Sequence, residues 1–294
     1  MLRVEAVRRS FDGTLVLDDV SFDVAPGRIT GFVGANGAGK TTSMRIILGV
    51  LAADAGTVTW KDGPLDSATR RAFGYMPEER GLYPKMKVRD QLVYLGRLHG
   101  LDAGAARRNA DALLEQVGLA EKADAKLDTL SLGNQQRAQI AAALVHDPVA
   151  LILDEPFSGL DPLAVDVIVA VLRERAADGV PVLFSSHQLD LVERLCDDLV
   201  VIAAGQIRAA GSGSELRAKY TLPRIEVLLG TDAGWLRDVP GVTIVELDGD
   251  RAVIELADPE ADQVVLREAM TRGPVRAFTP IVPSLAEIFR EVIR

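Results

Sequence analysis

The chain is short of the residues that build disulfide-stapled folds. Of its 294 residues only Cys196 is a cysteine, so no internal disulfide can form and a reducing compartment is expected. Cys196 reads as a small apolar residue under a helix. Positive charge is also in deficit: 33 basic against 42 acidic residues leave −9, which argues against an electrostatic nucleic-acid partner and against passive adhesion to anionic lipid. No stretch approaches the ~18 uninterrupted apolar residues that cross a bilayer. The opening MLRVEAVRRSF has basic residues but no apolar run, so it does not read as a secretory signal. There is no internal repeat and no heptad run.

Nearly half of the residues, 48%, are hydrophobic, enough for a sizeable core, and the length suits one large or two unequal domains. Residues 1–33 read as strands punctuated by Asp12-Gly13 and Pro26-Gly27. A helix is expected over 40–50, and a mainly helical region over 88–145, where Val88, Leu92, Leu95 and Leu98 recur at helical spacing. Short apolar strands then alternate with helices: VALILD (149–154), VPVLFSS (180–186) and LVVIAAG, which argues a parallel α/β sheet. The texture changes across 209–223. Beyond it the expected order is strand (225–229), helix (231–238), two strands joined at Asp248-Gly249, helix (260–272), strand (275–280) and a last helix with a Ser284/Glu287 capping box. That βαββαβ order suggests a small ferredoxin-like α+β domain.

The chemistry concentrates in the first part. GANGAGKTT follows the apolar strand ITGFV and runs into a helix, so Gly34, Gly39, Lys40 and Thr41 satisfy G-x-x-x-x-G-K-[ST] in its required setting. Glycines let the backbone wrap a phosphate, and a helix N-terminus adds positive potential. Lys40 is expected at the β- and γ-phosphates and Thr41 at Mg²⁺. Asn36, Gly37 and Thr42 belong to the same nucleotide-binding loop, Asn36 and Ala38 as filler without chemistry of their own. The strand VALILD ends in Asp154 and Glu155, the first suited to hold Mg²⁺ and the second to orient or deprotonate a water. His187 follows another apolar strand and is placed to meet the γ-phosphate or that water; His99 and His146 read as surface residues. LSLGNQQR, residues 130–137, holds small hydrogen-bonding groups ahead of a helix and no catalyst.

In this order GANGAGKTT, LSLGNQQR, LILDEPFSGLD and SSH resemble the nucleotide-binding subunit of an ABC transporter, over roughly residues 1–215. The resemblance implies an α/β P-loop NTPase core of the ABC ATPase type. That core has an N-terminal antiparallel β subdomain and an inserted helical subdomain at about 88–145, followed by the α+β domain at 216–294. It implies ATP and Mg²⁺ as cofactors and a homodimer or pseudo-dimer that sandwiches each ATP. Ser131 and Gly133 of one chain would close over the other chain's γ-phosphate, which answers what LSLGNQQR is for; an ordinary helix cap by Ser131 is compatible. Phe11 matches the aromatic that stacks on adenine, and Ser158 to Asp161 match the loop linking the two sites.

Two departures stand out. Leu132 and Asn134 replace the first glycine and the glutamine of the LSGGQ pattern, and Glu78 replaces the usual glutamine after Pro77. A carboxylate there can still meet Mg²⁺ or water but repels the γ-phosphate. PEERGLYP and the small C-terminal domain resemble the ATPases of ABC-2-type exporters of the sodium- and drug-export kind, although sugar-importer ATPases also carry a GNQQ form. The expected partner is a polytopic membrane permease, with the chain peripheral on the cytoplasmic face. The alternatives are an importer ATPase and a soluble ABC ATPase acting on ribosomes or DNA; one cassette, no heptads and acidic charge weigh against the latter.

Overall fold

The computed structural model describes residues 1–79, 81–258 and 260–293, without the side chains of Glu291 and Ile293. Arg80, within the PEERGLYP stretch, lies outside the described residues. The chain divides into two compact units, Met1–Gly213 and Ser214–Arg294.

The first unit opens with β1 (Leu2–Phe11) and β2 (Thr14–Val24). Asp12 and Gly13 both take positive φ, 47° and 79°, the two-residue turn whose twist matches a hairpin. With β4 (Ala55–Trp60) and β5 (Gly63–Pro64) they form an antiparallel sheet in the order β2-β1-β4-β5. Its inward face carries Leu2, Val4, Leu17, Val20 and Phe22, the alternation being shifted where β1 and β2 change register.

The central sheet runs β10-β9-β3-β8-β7-β6. Its strands are β3 (Ile29–Val33), β6 (Phe73–Met76), β7 (Ala150–Leu153), β8 (Val182–Ser186), β9 (Asp198–Ala203) and β10 (Gln206–Ser212). Every neighbouring pair is parallel except β9 with the edge strand β10. β3, β7 and β8 are buried at every residue, as expected of unbroken apolar strands covered on both faces. Because β3, β8 and β7 are adjacent, the segments leaving their carboxyl ends, at Gly34, His187 and Asp154, emerge side by side.

The helices are α1 (Lys40–Ile47), α2 (Ser67–Arg71), α3 (Val88–Leu98), α4 (Ala103–Gln116), α5 (Leu132–Leu144), α6 (Pro162–Ala177) and α7 (Leu189–Leu195). α1 is shorter than the sequence suggests: Gly49 at φ 71° ends the turn, and its N–H donates to Ile46 O. Asp102, Ser131 and Asp161 cap α4, α5 and α6 by accepting from backbone N–H groups in the first turn. Cys196 is the small residue it reads as: a Cβ on Gly31 of β3 would lie 2.7 Å from its sulfur, and burial pushes its thiol pKa up.

α8 (Gly213–Tyr220) lies in the second unit from Ser214 onward. Then come β11 (Arg224–Leu229), a 3₁₀ turn (Gly234–Asp238), β12 (Val242–Asp248), β13 (Arg251–Leu256), α9 (Ala261–Arg272), β14 (Val275–Ile281) and α10 (Leu285–Ile293). The sheet order β12-β13-β11-β14, antiparallel throughout, is the ferredoxin-like arrangement. The expected helix over 231–238 is only that 3₁₀ turn, which starts at Gly234, a poor helix former, and is followed by Pro240. One sheet face packs Ile225, Val227, Ile254 and Leu256 against Leu236 and Val265. Off that core, Arg224 pairs with Glu255 at 3.0 Å and Arg251 with Glu226 at 2.6 Å. The Ser284 hydroxyl accepts the Glu287 N–H at 3.3 Å, forming the expected cap of α10.

Candidate functional site

The first unit holds a cleft of about 560 Å³ lined by Phe11, Val16, Asn36, Gly37, Gly39, Lys40, Thr41, Thr42, Glu78, Asp154 and Glu155. Four chain segments converge there: the β1–β2 hairpin, the loop from β3 into α1, the segment after β6 and the segment after β7. Gly37 and Gly39 sit at φ 79° and 111°, where side chains are strained, and a Cβ on Gly39 would lie 2.5 Å from Leu17 Cδ2. Gly34 does not line the cleft but starts its loop: a Cβ there would meet Ile202 O at 2.4 Å, and Gly34 O accepts from Lys40 Nζ at 2.7 Å. Ala35 O takes a second, longer bond from the same ammonium, 3.3 Å. Lys40 is therefore a buried cation held at the amino end of α1, beside the loop's own carbonyls. Phe11 is partly exposed, with the Arg9 guanidinium 4.8 Å from its ring centre.

The acids are held more tightly. Asp154 is almost wholly buried; its Oδ1 accepts from the Ser185 hydroxyl at 2.5 Å, while its Oδ2 is buried with no hydrogen-bond partner among the described residues. The same Ser185 hydroxyl accepts the Glu155 N–H at 2.8 Å. Glu155 has φ 50°, unusual for a side chain this size and the kind of strain kept at working sites. Its Oε1 lies 3.1 Å from His187 Nδ1. Burial raises the Glu155 pKa, opposed by His187 and Lys40. His187 thus reaches the site through Glu155 and does not itself line the cleft.

Ser131, Gly133 and Asp161 lie outside this cleft. Ser131 caps α5, its Oγ 3.4 Å from the Asn134 N–H. Leu132 beside it is 57% exposed. Gly133 backs onto the segment after Glu155: a Cβ there would lie 3.3 Å from Gly159 O. Asp161 caps α6, its Oδ1 accepting from Ala164 N at 2.8 Å. Glu78 is exposed on the cleft wall.

Sequence reasoning missed three polar residues behind the site. Ser185 is one. The others are Gln136 and Gln139, buried on α5, whose side-chain amides donate to the carbonyls of Glu155 and Pro156 and of Pro77 and Glu79. Their only sequence signal is polarity inside apolar surroundings. The surface reading of His146 is also corrected. His146 is half-buried and stacks on exposed His99 with ring centres 3.7 Å apart, and burial lowers its pKa to about 4. Both rings donate to carbonyls just ahead of or at the start of β6, His99 Nδ1 to Arg71 O at 2.8 Å and His146 Nε2 to Phe73 O at 3.2 Å.

Residues 17–158 match the family model described as ABC transporter, and residues 211–293 match that of the ATP-binding protein DrrA1-3-like, C-terminal domain. The uncharacterized ABC transporter ATP-binding protein YhaQ of Bacillus subtilis is 36% identical over 293 residues, spanning 100% of this chain and 98% of that one. This chain belongs to the ABC transporter ATP-binding proteins. Nod factor export ATP-binding protein I of Paraburkholderia xenovorans is 37% identical over 272 residues, 91% of this chain and 90% of its own. Among solved structures, an ATP binding subunit of an ABC transporter superposes with a TM-score of 0.70 at 31% identity, covering 75% of this chain and 93% of that one. ABC ATP-binding proteins bind and hydrolyse ATP, dimerise and work with membrane subunits. In this one, no helix among the described residues is long and apolar enough to cross a membrane.

Proposed function

We propose that this chain is the ATP-hydrolysing subunit of an exporter, peripheral on the cytoplasmic face of the membrane and bound there to a separate polytopic permease. The observation that carries the reading is the cleft in which a buried lysine, a glycine loop at a helix amino end and the buried acids Asp154 and Glu155 meet. The export direction is supported by the relative named for Nod factor export.

Lys40 and the amino end of α1 bind the β- and γ-phosphates, and Phe11 takes the adenine face. The donor set suits Mg²⁺. Asp154 Oδ2 is a buried carboxylate oxygen with no partner among the described residues, and the Thr41 side chain lines the same cleft, with Glu78 as a further carboxylate. Bound there, the ion neutralises charge on the phosphate oxygens. Glu155 orients the attacking water and accepts its proton as the new P–O bond forms and ADP departs. His187 holds the Glu155 carboxylate. Ser131 and Gly133 of a second copy complete the cleft, with the amino end of its α5 aimed at the γ-phosphate.

The test is to tag the protein, extract it from native membranes in mild detergent and identify what co-purifies. A stoichiometric polytopic membrane protein supports the reading, and its identity narrows substrate and direction. Recovery only in the soluble fraction, with ribosomes or nothing attached, overturns it.

A further inference from the structure

α5 carries two buried amides one turn apart, Gln136 and Gln139, on the face that meets the sheet. An apolar residue is the ordinary occupant of such positions, and a buried amide is tolerated only where its donors are satisfied. Here each amide nitrogen spends both hydrogens on backbone carbonyls. Gln136 Nε2 is 3.1 Å from Glu155 O and 3.0 Å from Pro156 O. Gln139 Nε2 is 2.8 Å from Pro77 O and 3.2 Å from Glu79 O, the residues on either side of Glu78. Carbonyls only accept, so the amide orientation is settled.

We infer that Gln136 and Gln139 are positioning residues that fasten the backbones bearing Glu155 and Glu78 to α5. Glu155 and Glu78 then move as one body with Ser131 and Gly133 at the start of the same helix. A shift of α5 when a second copy docks on its amino end is thereby delivered to both acids of its own chain. This inference rests on the function proposed above.

The test uses the full-length protein with Gln139→Met, which keeps the side chain's length and removes the donor. In the nucleotide-free protein, cleavage after Glu78 or Glu79 by a glutamate-specific protease should quicken by about three-fold or more, because a released segment opens more often. Unchanged cleavage overturns the proposal by itself. In ATPase assays kcat should fall about 10- to 100-fold, the cost of an ångström-scale misplacement beside the reacting centre, while KM stays within about three-fold. In a Glu78→Ala background the same substitution should have no further effect on kcat, since the carboxylate it misplaces is gone. A full additive loss in that background shows general support of the fold and overturns the proposal. If Gln139→Met does not fold, Gln139→Asn, which shortens the arm and keeps the donor, is read in the same way. A parent protein that binds no ATP sinks the proposed function instead, while the protease measurement still decides whether Gln139 holds the segment.

Discussion

His187 Nδ1 lies 3.1 Å from Glu155 Oε1, and this bond opposes the burial that raises the Glu155 pKa. The carboxylate must be ionised to accept a proton, so ATPase activity should fall on the acid side at a pH above the ordinary carboxylate range. In His187→Ala the opposing partner is gone, and the acid limb should move to higher pH. A pH–rate profile of the two proteins checks this; an unmoved limb separates His187 from Glu155.

Glu155→Gln should bind ATP and trap an ATP-bound dimer while losing about 10²- to 10⁴-fold in hydrolysis, the usual weight of a general base. It should also melt higher at neutral pH. A raised carboxyl pKa means the folded state binds the proton more tightly than the unfolded chain. Its stability contribution is therefore present at low pH and lost as pH rises through the folded pKa. The ionised group is a liability that the amide removes, as calorimetry can show. Hydrolysis at the parent rate would rule Glu155 out as the base.

Glu78→Gln removes a negative charge from the cleft wall. It should alter the ATPase rate, or its coupling to a membrane partner, more than nucleotide affinity. A fluorescent ATP analogue and a steady-state assay read the two separately, and weakened binding at an unchanged rate refutes the expectation.

Ser185→Ala strips Asp154 Oδ1 of its donor and the Glu155 N–H of its acceptor, both buried. The expected loss is about 1–3 kcal/mol of stability in urea titration. Mg²⁺-dependent ATP binding should weaken as well, because the free Asp154 oxygen is no longer aimed by its sibling.

The His99–His146 stack predicts acid sensitivity away from the cleft. The folded state resists a proton at His146 that the unfolded chain accepts near 6.5, so stability is full above that pH and declines as pH falls towards about 4. His146→Gln should flatten the change in urea midpoint between those two values.

What the sequence disclosed was local. The Asp12-Gly13 turn, the Ser131 and Ser284 caps and the glycine loop before α1 are each set by residues a few positions apart, and each forms as read. Over residues 231–238 the expected helix is reduced to a short 3₁₀ turn that starts at Gly234. Gln136, Gln139, Ser185 and His146 escaped for another reason. Their partners are distant in sequence and adjacent only once β6, β7 and β8 are side by side. A polar residue in an apolar run says that something satisfies it, not what.

Strand β3 has both its neighbours, β8 and β9, far downstream in the chain. The glycine loop is thus written near the amino end but gets its rigid footing last. During synthesis the β1–β2 hairpin and β4 are able to pair early, whereas β3 waits for residues 182–203 to leave the ribosome. A nascent chain stalled after α6 carries GANGAGKTT complete and should still fail to retain ATP. Nucleotide competence therefore reports that the whole sheet has been assembled, and ATP becomes a ligand of the finished unit rather than of the stretch that spells its loop.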